Sequence, residues 1–239
     1  MGLTSRVSRR DDSSHQQRAG GLHGRQPTAR YSASVNDKTA HWEGVYGRKK
    51  PDGVSWYRAH LERSLAFVDR AGLSPTSRII DVGGGASTLV DDLLDRGFSN
   101  VTVLDISPAS LDAARRRLGE RAAGVEWLVG DITEVELPPG SFDFWHDRAV
   151  FHFLRQPAER QRYVAAVRHA LRPGGNIVVA TFGPHGPERC SGLDVAHYSA
   201  DELHDEFGAG FTKVDSTVEQ HTTPAGGQQE FVYCYCRMS

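Results

Sequence analysis

The chain has little of what marks several common protein classes. Three cysteines among 239 residues do not make a disulfide framework, so a reducing, cytoplasmic setting is expected. No window offers the ~18 uninterrupted apolar residues that a membrane span needs. No apolar leader stands near the start either, so neither a membrane partner nor export is expected. An excess of one charge is also missing: 28 Lys+Arg stand against 30 Asp+Glu, a formal net charge of -2. The basic footprint of a dedicated nucleic-acid binder is therefore absent, and a nucleic-acid partner is disfavoured. No internal repeat is visible. The apolar fraction of 38% is modest but allows a sizeable core, and the length suits one large α/β domain.

The first stretch is poor in large apolar side chains. Within residues 1–36, Leu3, Val7, Leu22 and Tyr31 are nearly the only ones. Such a segment cannot bury enough surface to offset chain entropy. Residues 1–36 are therefore expected to be a disordered tail, and residues 37–239 the folded domain. All six basic residues of the tail are arginines, against Asp11 and Asp12, which leaves 22 basic and 28 acidic residues in the body. The chain reads as a basic tail on an acidic body.

What is present beyond the tail alternates strand and helix. Leu61, Leu65 and Val68 recur at helical spacing, predicting a helix over 55–71 that Gly72 stops. The apolar run 78–82 reads as the first strand, 87–96 as a helix and 101–105 as the second strand. Ser107-Pro108 opens a helix with a hydroxyl cap and a proline at its first position. Further strands are expected at 125–129, 142–145 and 177–181, with a helix over 157–171 between the last two. Ser199 and Glu202 form a capping box for a helix to about 207. The last strands, 211–218 and 230–236, have no helix between them and should pair as an antiparallel hairpin. The alternation implies a mostly parallel sheet covered on both faces.

The chemistry-bearing residues cluster at strand ends. Asp81-Val82-Gly83-Gly84-Gly85-Ala86-Ser87 follows the first strand, where glycines let the backbone turn sharply and approach a ligand. A dinucleotide fingerprint would need glycine at position 88, but Thr88 stands there. Asp105 ends the second strand, where a carboxylate suits the two hydroxyls of a ribose. Gly130-Asp131-Ile132 follows the third, where a carboxylate suits an exocyclic amino group. Three acids in register behind a glycine turn point to one nucleoside-bearing ligand.

This set, with the Pro173-Gly174-Gly175 turn before the fifth strand, resembles the class I S-adenosylmethionine-dependent methyltransferases. The resemblance covers about residues 38–237; Ser87 departs from it, standing where many members have a third glycine. It implies a Rossmann-like, seven-stranded α/β sheet in the order 3-2-1-4-5-7-6, with strand seven antiparallel and helices on both faces. It implies S-adenosyl-L-methionine as cofactor. Asp81, Gly83, Gly85 and Ser87 would then hold its methionine end, Asp105 with Ile106 its ribose, and Asp131 with Ile132 its adenine. Trp42, Tyr46 and Trp56 are expected cofactor or substrate contacts, and His146 is added at the edge of the same site.

Two narrower likenesses point to different acceptors. Trp145-His146-Asp147-Arg148-Ala149 resembles the W-D-R motif of thiopurine and related thiol methyltransferases, with His146 inserted. His41-Trp42-x-x-x-Tyr46 with Trp56-Tyr57 resembles the entry segment of a group of protein lysine methyltransferases. The expected activity is methyl transfer to a small-molecule, thiol-like nucleophile. The alternatives are protein lysine methylation and a non-catalytic cofactor-binding module. Asp147 and His146, read as following strand four, are the candidate base or orienting groups, with His152 a second polar contact. The Gly/Pro-rich loop 183–192 is a candidate lid. His221 is expected in a turn toward the opposite end of the sheet. Cys234 and Cys236 alternate on one strand face, which favours core packing over a metal site, and no metal is expected.

Overall fold

The computed structural model describes residues 28–239 other than Lys49, with side chains from Asp37 onward. Helix α1 (Thr28–Arg48) begins inside the segment assigned to the tail; residues 1–27 lie outside the described ones.

The strands are β1 (Arg78–Val82), β2 (Asn100–Asp105), β3 (Val125–Val129), β4 (Phe142–Arg148), β5 (Leu171–Phe182), β6 (Arg189–Cys190), β7 (Leu193–Asp194), β8 (Phe211–Thr222) and β9 (Gln228–Met238). Seven of them form one sheet in the order β3-β2-β1-β4-β5-β9-β8, and β6 with β7 makes a small hairpin. The first five strands of the order run parallel, while β9 is antiparallel to both β5 and β8. Because the terminal hairpin has no crossover helix, its strands can only return antiparallel. The order expected from the sequence is the order observed.

Helices cover both faces. On one, Leu65, Phe67 and Val68 of α2 (Glu62–Arg70) and Leu89 and Leu93 of α3 (Leu89–Asp95) pack with Ile79, Val103, Phe144 and Val178. Leu111 of α4 (Pro108–Leu118) joins that layer. On the other, Tyr163 and Val167 of α5 (Pro157–Ala170) and Leu203 and Phe207 of α6 (Ala200–Phe207) pack with Ile80, Trp145 and Val179. The central strands are apolar on both sides, as double coverage requires. Cys234 and Cys236 lie in the second layer.

Three boundaries move. The helix read over 55–71 begins only at Glu62. The carbonyls of Ser55, Trp56 and Arg58 accept hydrogen bonds from side chains of His221, Arg148 and Thr88 instead of continuing a helix. Strand β4 runs past Trp145 to Arg148, so His146, Asp147 and Arg148 lie within the sheet rather than beyond it. Their partners are Val178, Val179 and Ala180 on β5. The Pro173-Gly174-Gly175 turn is absorbed into β5 as an irregularity: Phe142 pairs with Leu171, but Phe144 pairs with Asn176.

Candidate active site

The site lies at the carboxyl ends of the parallel strands, where an open α/β sheet leaves a crevice. The turn after β1 is tied to β2 by the Gly83 amide, which donates to the Leu104 carbonyl at 2.7 Å. Gly83 has φ +67, and a Cβ there would lie 2.0 Å from Val150 Cγ2. Gly85 has φ +35, and a Cβ there would lie 2.5 Å from Asp105 Oδ2. Glycine is thus demanded by both backbone and space.

A cavity of about 450 Å³ opens beside this turn, lined by Gly83, Asp105, Ile106, Asp131 and Ile132 together. Asp105 Oδ1 accepts from the Ser107 amide at 2.8 Å. Burial lifts its acid to about 6, against the opposing pull of that amide and of the Ser110 hydroxyl. Asp131 Oδ1 accepts from both the amide and the hydroxyl of Thr133 at 2.8 Å. Lys38 Nζ approaches Asp131 Oδ2 at 3.4 Å and Glu159 Oε1 at 2.8 Å.

The roof comes from α1. Lys38, Trp42 and Tyr46, at four-residue spacing on one helix face, all line the cavity. Glu43 anchors this helix by accepting from Ser107 Oγ at 2.5 Å and the Ala109 amide at 2.9 Å. A carboxylate there complements the positive end of α4. Trp56 and Phe153 close the far wall, with ring centroids 5.9 and 5.2 Å from Trp42. Cys190 of the expected lid and Leu193 just beyond it, both in the β6–β7 hairpin, line the same cavity. Ala149, at φ 74 directly after β4, lines it too, a left-handed non-glycine held at the edge of the site.

Asp81, Ser87 and His146 border instead a small adjoining cavity of about 30 Å³, with Gly83, Trp56 and Arg148 shared between the two. His146 Nδ1 lies 2.7 Å from Asp81 Oδ1, and its Nε2 lies 2.8 Å from Ser64 Oγ. Both ring nitrogens are therefore engaged.

Neither Asp147 nor His152 lines either cavity. Asp147 turns to the α5 side, where Tyr163 donates to its Oδ2 at 2.7 Å and the Val150 amide to its Oδ1 at 2.9 Å. Burial lifts it to about 7, against those two hydrogen bonds. His152 accepts from the Phe182 amide at 3.3 Å, and burial brings it down to about 3. Of the expected trio, Asp147 and His152 thus pack into the layers around the sheet, while His146 borders only the small adjoining cavity.

His221 is the reverse case. It lies near the end of β8, and β8 pairs with β9 at the level where Phe231 meets Phe182, the last residue of β5. That is the site edge, not the opposite end. The antiparallel strand seven already implied it, since strand six must then run parallel to strand five. Sequence reading also missed Lys38, Glu43, Phe153 and Glu219. Only Lys38 carried a signal, the helical spacing to Trp42 and Tyr46.

The donor set fits S-adenosylmethionine. Asp81 Oδ2 is a buried acceptor without a hydrogen-bond partner, beside the glycine turn, and suits an ammonium group. Asp105 and Asp131 present carboxylates where a ribose and an adenine amino group would follow. Among the described residues, no group of three or more His, Cys, Asp or Glu could hold a metal, and no helix is long and apolar enough to cross a membrane.

Comparison with known proteins agrees. A methyltransferase domain family matches residues 79–175. Malonyl-[acyl-carrier protein] O-methyltransferase of Paenibacillus sp. (strain JDR-2) is 30% identical over 131 residues, 53% of this chain and 46% of that protein. The eEF1A lysine and N-terminal methyltransferase of Mus musculus is 26% identical over 144 residues, 58% of this chain and 20% of that one. The chain thus spans less than half the length of these curated relatives. Burkholderia thailandensis 1,6-didemethyltoxoflavin-N1-methyltransferase, solved with 1,6-didemethyltoxoflavin and S-adenosylhomocysteine, superposes with a TM-score of 0.64 at 20% identity, covering 92% of this chain and 93% of that one. Residues 79–175 thus carry a methyltransferase domain, set in a sheet whose strand order, glycine turn and row of acids are those of a class I S-adenosylmethionine-dependent methyltransferase.

Proposed function

We propose that the protein transfers a methyl group from S-adenosylmethionine to a small-molecule nucleophile that is already ionised, or carries a free lone pair, near neutral pH. The bound donor supplies an electrophilic methyl group, so the chain's own task is to align the acceptor and exclude water. In this reading Asp81 and the Gly83–Gly85 turn hold the methionine end, Asp105 the ribose hydroxyls, and Asp131 with Ile132 the adenine. Lys38, Trp42 and Tyr46 close over the bound donor. His146 and Asp147 hold the strand ends in place, and His152 supports the wall formed by Phe153.

The observation that carries the choice of acceptor is the character of the cavity wall. Among the described residues no histidine lines it, and the three carboxylates that do are all engaged. Asp105 is held by Ser107, Asp131 by Thr133 and Lys38, and Asp194 by Arg155 and Arg189 at 3.1 and 2.7 Å. The Tyr46 hydroxyl is pushed well above its usual range, chiefly by burial. An acceptor that must lose a proton finds no free base among the described lining residues. A thiol, ionising near ~8.5, needs little help, whereas an alkyl ammonium near ~10.4 needs much. The rings of Trp42, Trp56 and Phe153 favour an apolar or flat body on that acceptor.

Protein lysine methylation is the second reading, favoured by the lysine-methylating relatives and the aromatic entry. Calorimetry with S-adenosylhomocysteine tests the donor: absence of binding rejects the proposal. A donor-consumption screen over thiols, selenols, amines and metalloid oxyanions tests the acceptor, and turnover confined to amines rejects the small, self-ionising nucleophile. Labelled donor added to lysate separates the two readings, because label carried by protein favours lysine and label confined to solutes excludes it.

A further inference from the structure

Trp56 is the partition between the two cavities, yet it sits on a segment with no regular secondary structure. Residues 54–58 make one turn, closed by the Tyr57 amide donating to the Val54 carbonyl at 3.1 Å, and are otherwise irregular. Such a segment does not fix its own geometry. Here it is fixed from the sheet below. His221 Nε2 donates to the Ser55 carbonyl at 2.7 Å. Arg148 Nη1 donates to the Trp56 carbonyl at 2.9 Å. Arg58 Nη1 donates to Glu219 Oε1 at 2.9 Å. Three contacts from β4 and β8 thus pin Ser55, Trp56 and Arg58 of the strap.

The pins are themselves coupled. Arg148 Nε donates to the Tyr233 hydroxyl at 3.0 Å, and that hydroxyl donates to Glu219 Oε2 at 2.8 Å. The Arg148 guanidinium also lies 4.2 Å above the Phe231 ring, and Phe231 is the cross-strand partner of Glu219. Arg148 and His221 are both buried. Glu219 meets Arg58 and Tyr233 together and approaches Arg148, at 3.8 Å. A partly buried network of this kind specifies geometry, because displacing one member leaves the buried Arg148 with fewer partners.

We propose that Glu219 and His221, on the edge strand of the antiparallel hairpin, are positioning residues for the site. They act through the strap, setting where Trp56 stands between the donor's two ends and, through its contacts with Trp42 and Tyr46, how the roof closes. The inference rests on the donor reading for one of its readouts and is independent of it for the other.

The first test is a double-mutant cycle read by calorimetry with S-adenosylhomocysteine on the full chain. Glu219→Gln and Trp56→Ala should each weaken binding roughly tenfold, and the double variant also roughly tenfold, since both act through one ring. Independent losses multiplying to roughly a hundredfold, or no loss from Glu219→Gln, would overturn it. If Glu219→Gln does not fold, His221→Phe enters the same cycle with the same expectation. The second test needs no ligand. The emission of Trp56, isolated by subtracting the spectrum of the matched Trp56→Phe protein, should move to longer wavelength in Glu219→Gln and in His221→Phe. Unchanged Trp56 emission in both overturns the proposal. A wild-type protein that binds no S-adenosylhomocysteine removes the donor reading alone, and the emission then decides.

Discussion

His146 clamps Asp81: their Nδ1 and Oδ1 atoms are 2.7 Å apart, both residues are buried, and the second ring nitrogen is held by Ser64 of α2. The most conspicuous histidine of the sequence therefore holds the last acid of β1 instead of facing the open cleft. The contact links the second strand neighbour, β4, to the residue that opens the glycine turn.

Removing that clamp has a defined consequence. His146→Ala leaves the Asp81 carboxylate buried with neither oxygen paired and should cost about 1–3 kcal/mol of stability. S-adenosylhomocysteine affinity should fall with it, measured by thermal unfolding and calorimetry on one preparation. Loss of turnover with stability and donor affinity both intact would return His146 to the reaction itself.

The glycine turn predicts a sharper effect. Gly83→Ala sets a methyl 2.0 Å from Val150 at a backbone angle of φ +67. Both strain and clash then fall on the cavity wall. We expect destabilisation of about 1–3 kcal/mol and donor binding too weak to measure by calorimetry. Unaltered affinity would mean that the donor does not use this turn.

Asp147 makes stability depend on pH in a stated direction. Its folded acid stands at about 7, well above the ~3.9 of an unfolded chain. Between those values the native state holds a proton that the unfolded state has lost. Stability contributed by Asp147 therefore falls as pH rises from about 4 to about 7, by up to about 1.4 kcal/mol per pH unit. Asp147→Asn, which imitates the protonated acid, should remove that slope. His152, brought down to about 3, works the opposite way between about 3 and 6.5, since there the unfolded state holds the extra proton. The comparison is therefore between Asp147→Asn and wild type across denaturant titrations at several pH values. Parallel pH curves for the two proteins would sink the assignment.

The roof helix is held at two points, by Glu43 on Ser107 and Ala109 and by Lys38 on Asp131 and Glu159. Glu43→Ala removes the anchor on Ser107 and Ala109 and should cost about 1 kcal/mol. It should also speed release of S-adenosylhomocysteine in stopped flow. Lys38→Met, which breaks the contact to Asp131 and Glu159, should do the same. Unchanged release rates in both would mean that α1 does not cover the donor.

Much of the fold was legible because its signals are local. The apolar runs of β1 and β5, the cap at Ser107-Pro108 and the box at Ser199 and Glu202 all depend on residues a few positions apart. The glycine turn and Asp105 and Asp131 were legible for the same reason, each sitting next to a strand end. What could not be read is where α1 lies and what holds the strap. Glu43 meets α4, and Glu219 meets Arg58, across separations of 66 and 161 residues, and no local pattern encodes such a meeting.

The sequence by itself determined the alternation of strands and helices in the main sheet, the antiparallel return of the last hairpin and the row of acids behind a glycine turn. Only the tertiary structure decided what Trp145-His146-Asp147-Arg148 does. Once these residues continue β4, the pleat sends alternate side chains to opposite faces. His146 and Arg148 go toward Ser64 and the strap, and Trp145 and Asp147 toward Tyr163. A strand three residues shorter would have left His146, Asp147 and Arg148 beyond the sheet, but pairing with β5 carries it on to Arg148.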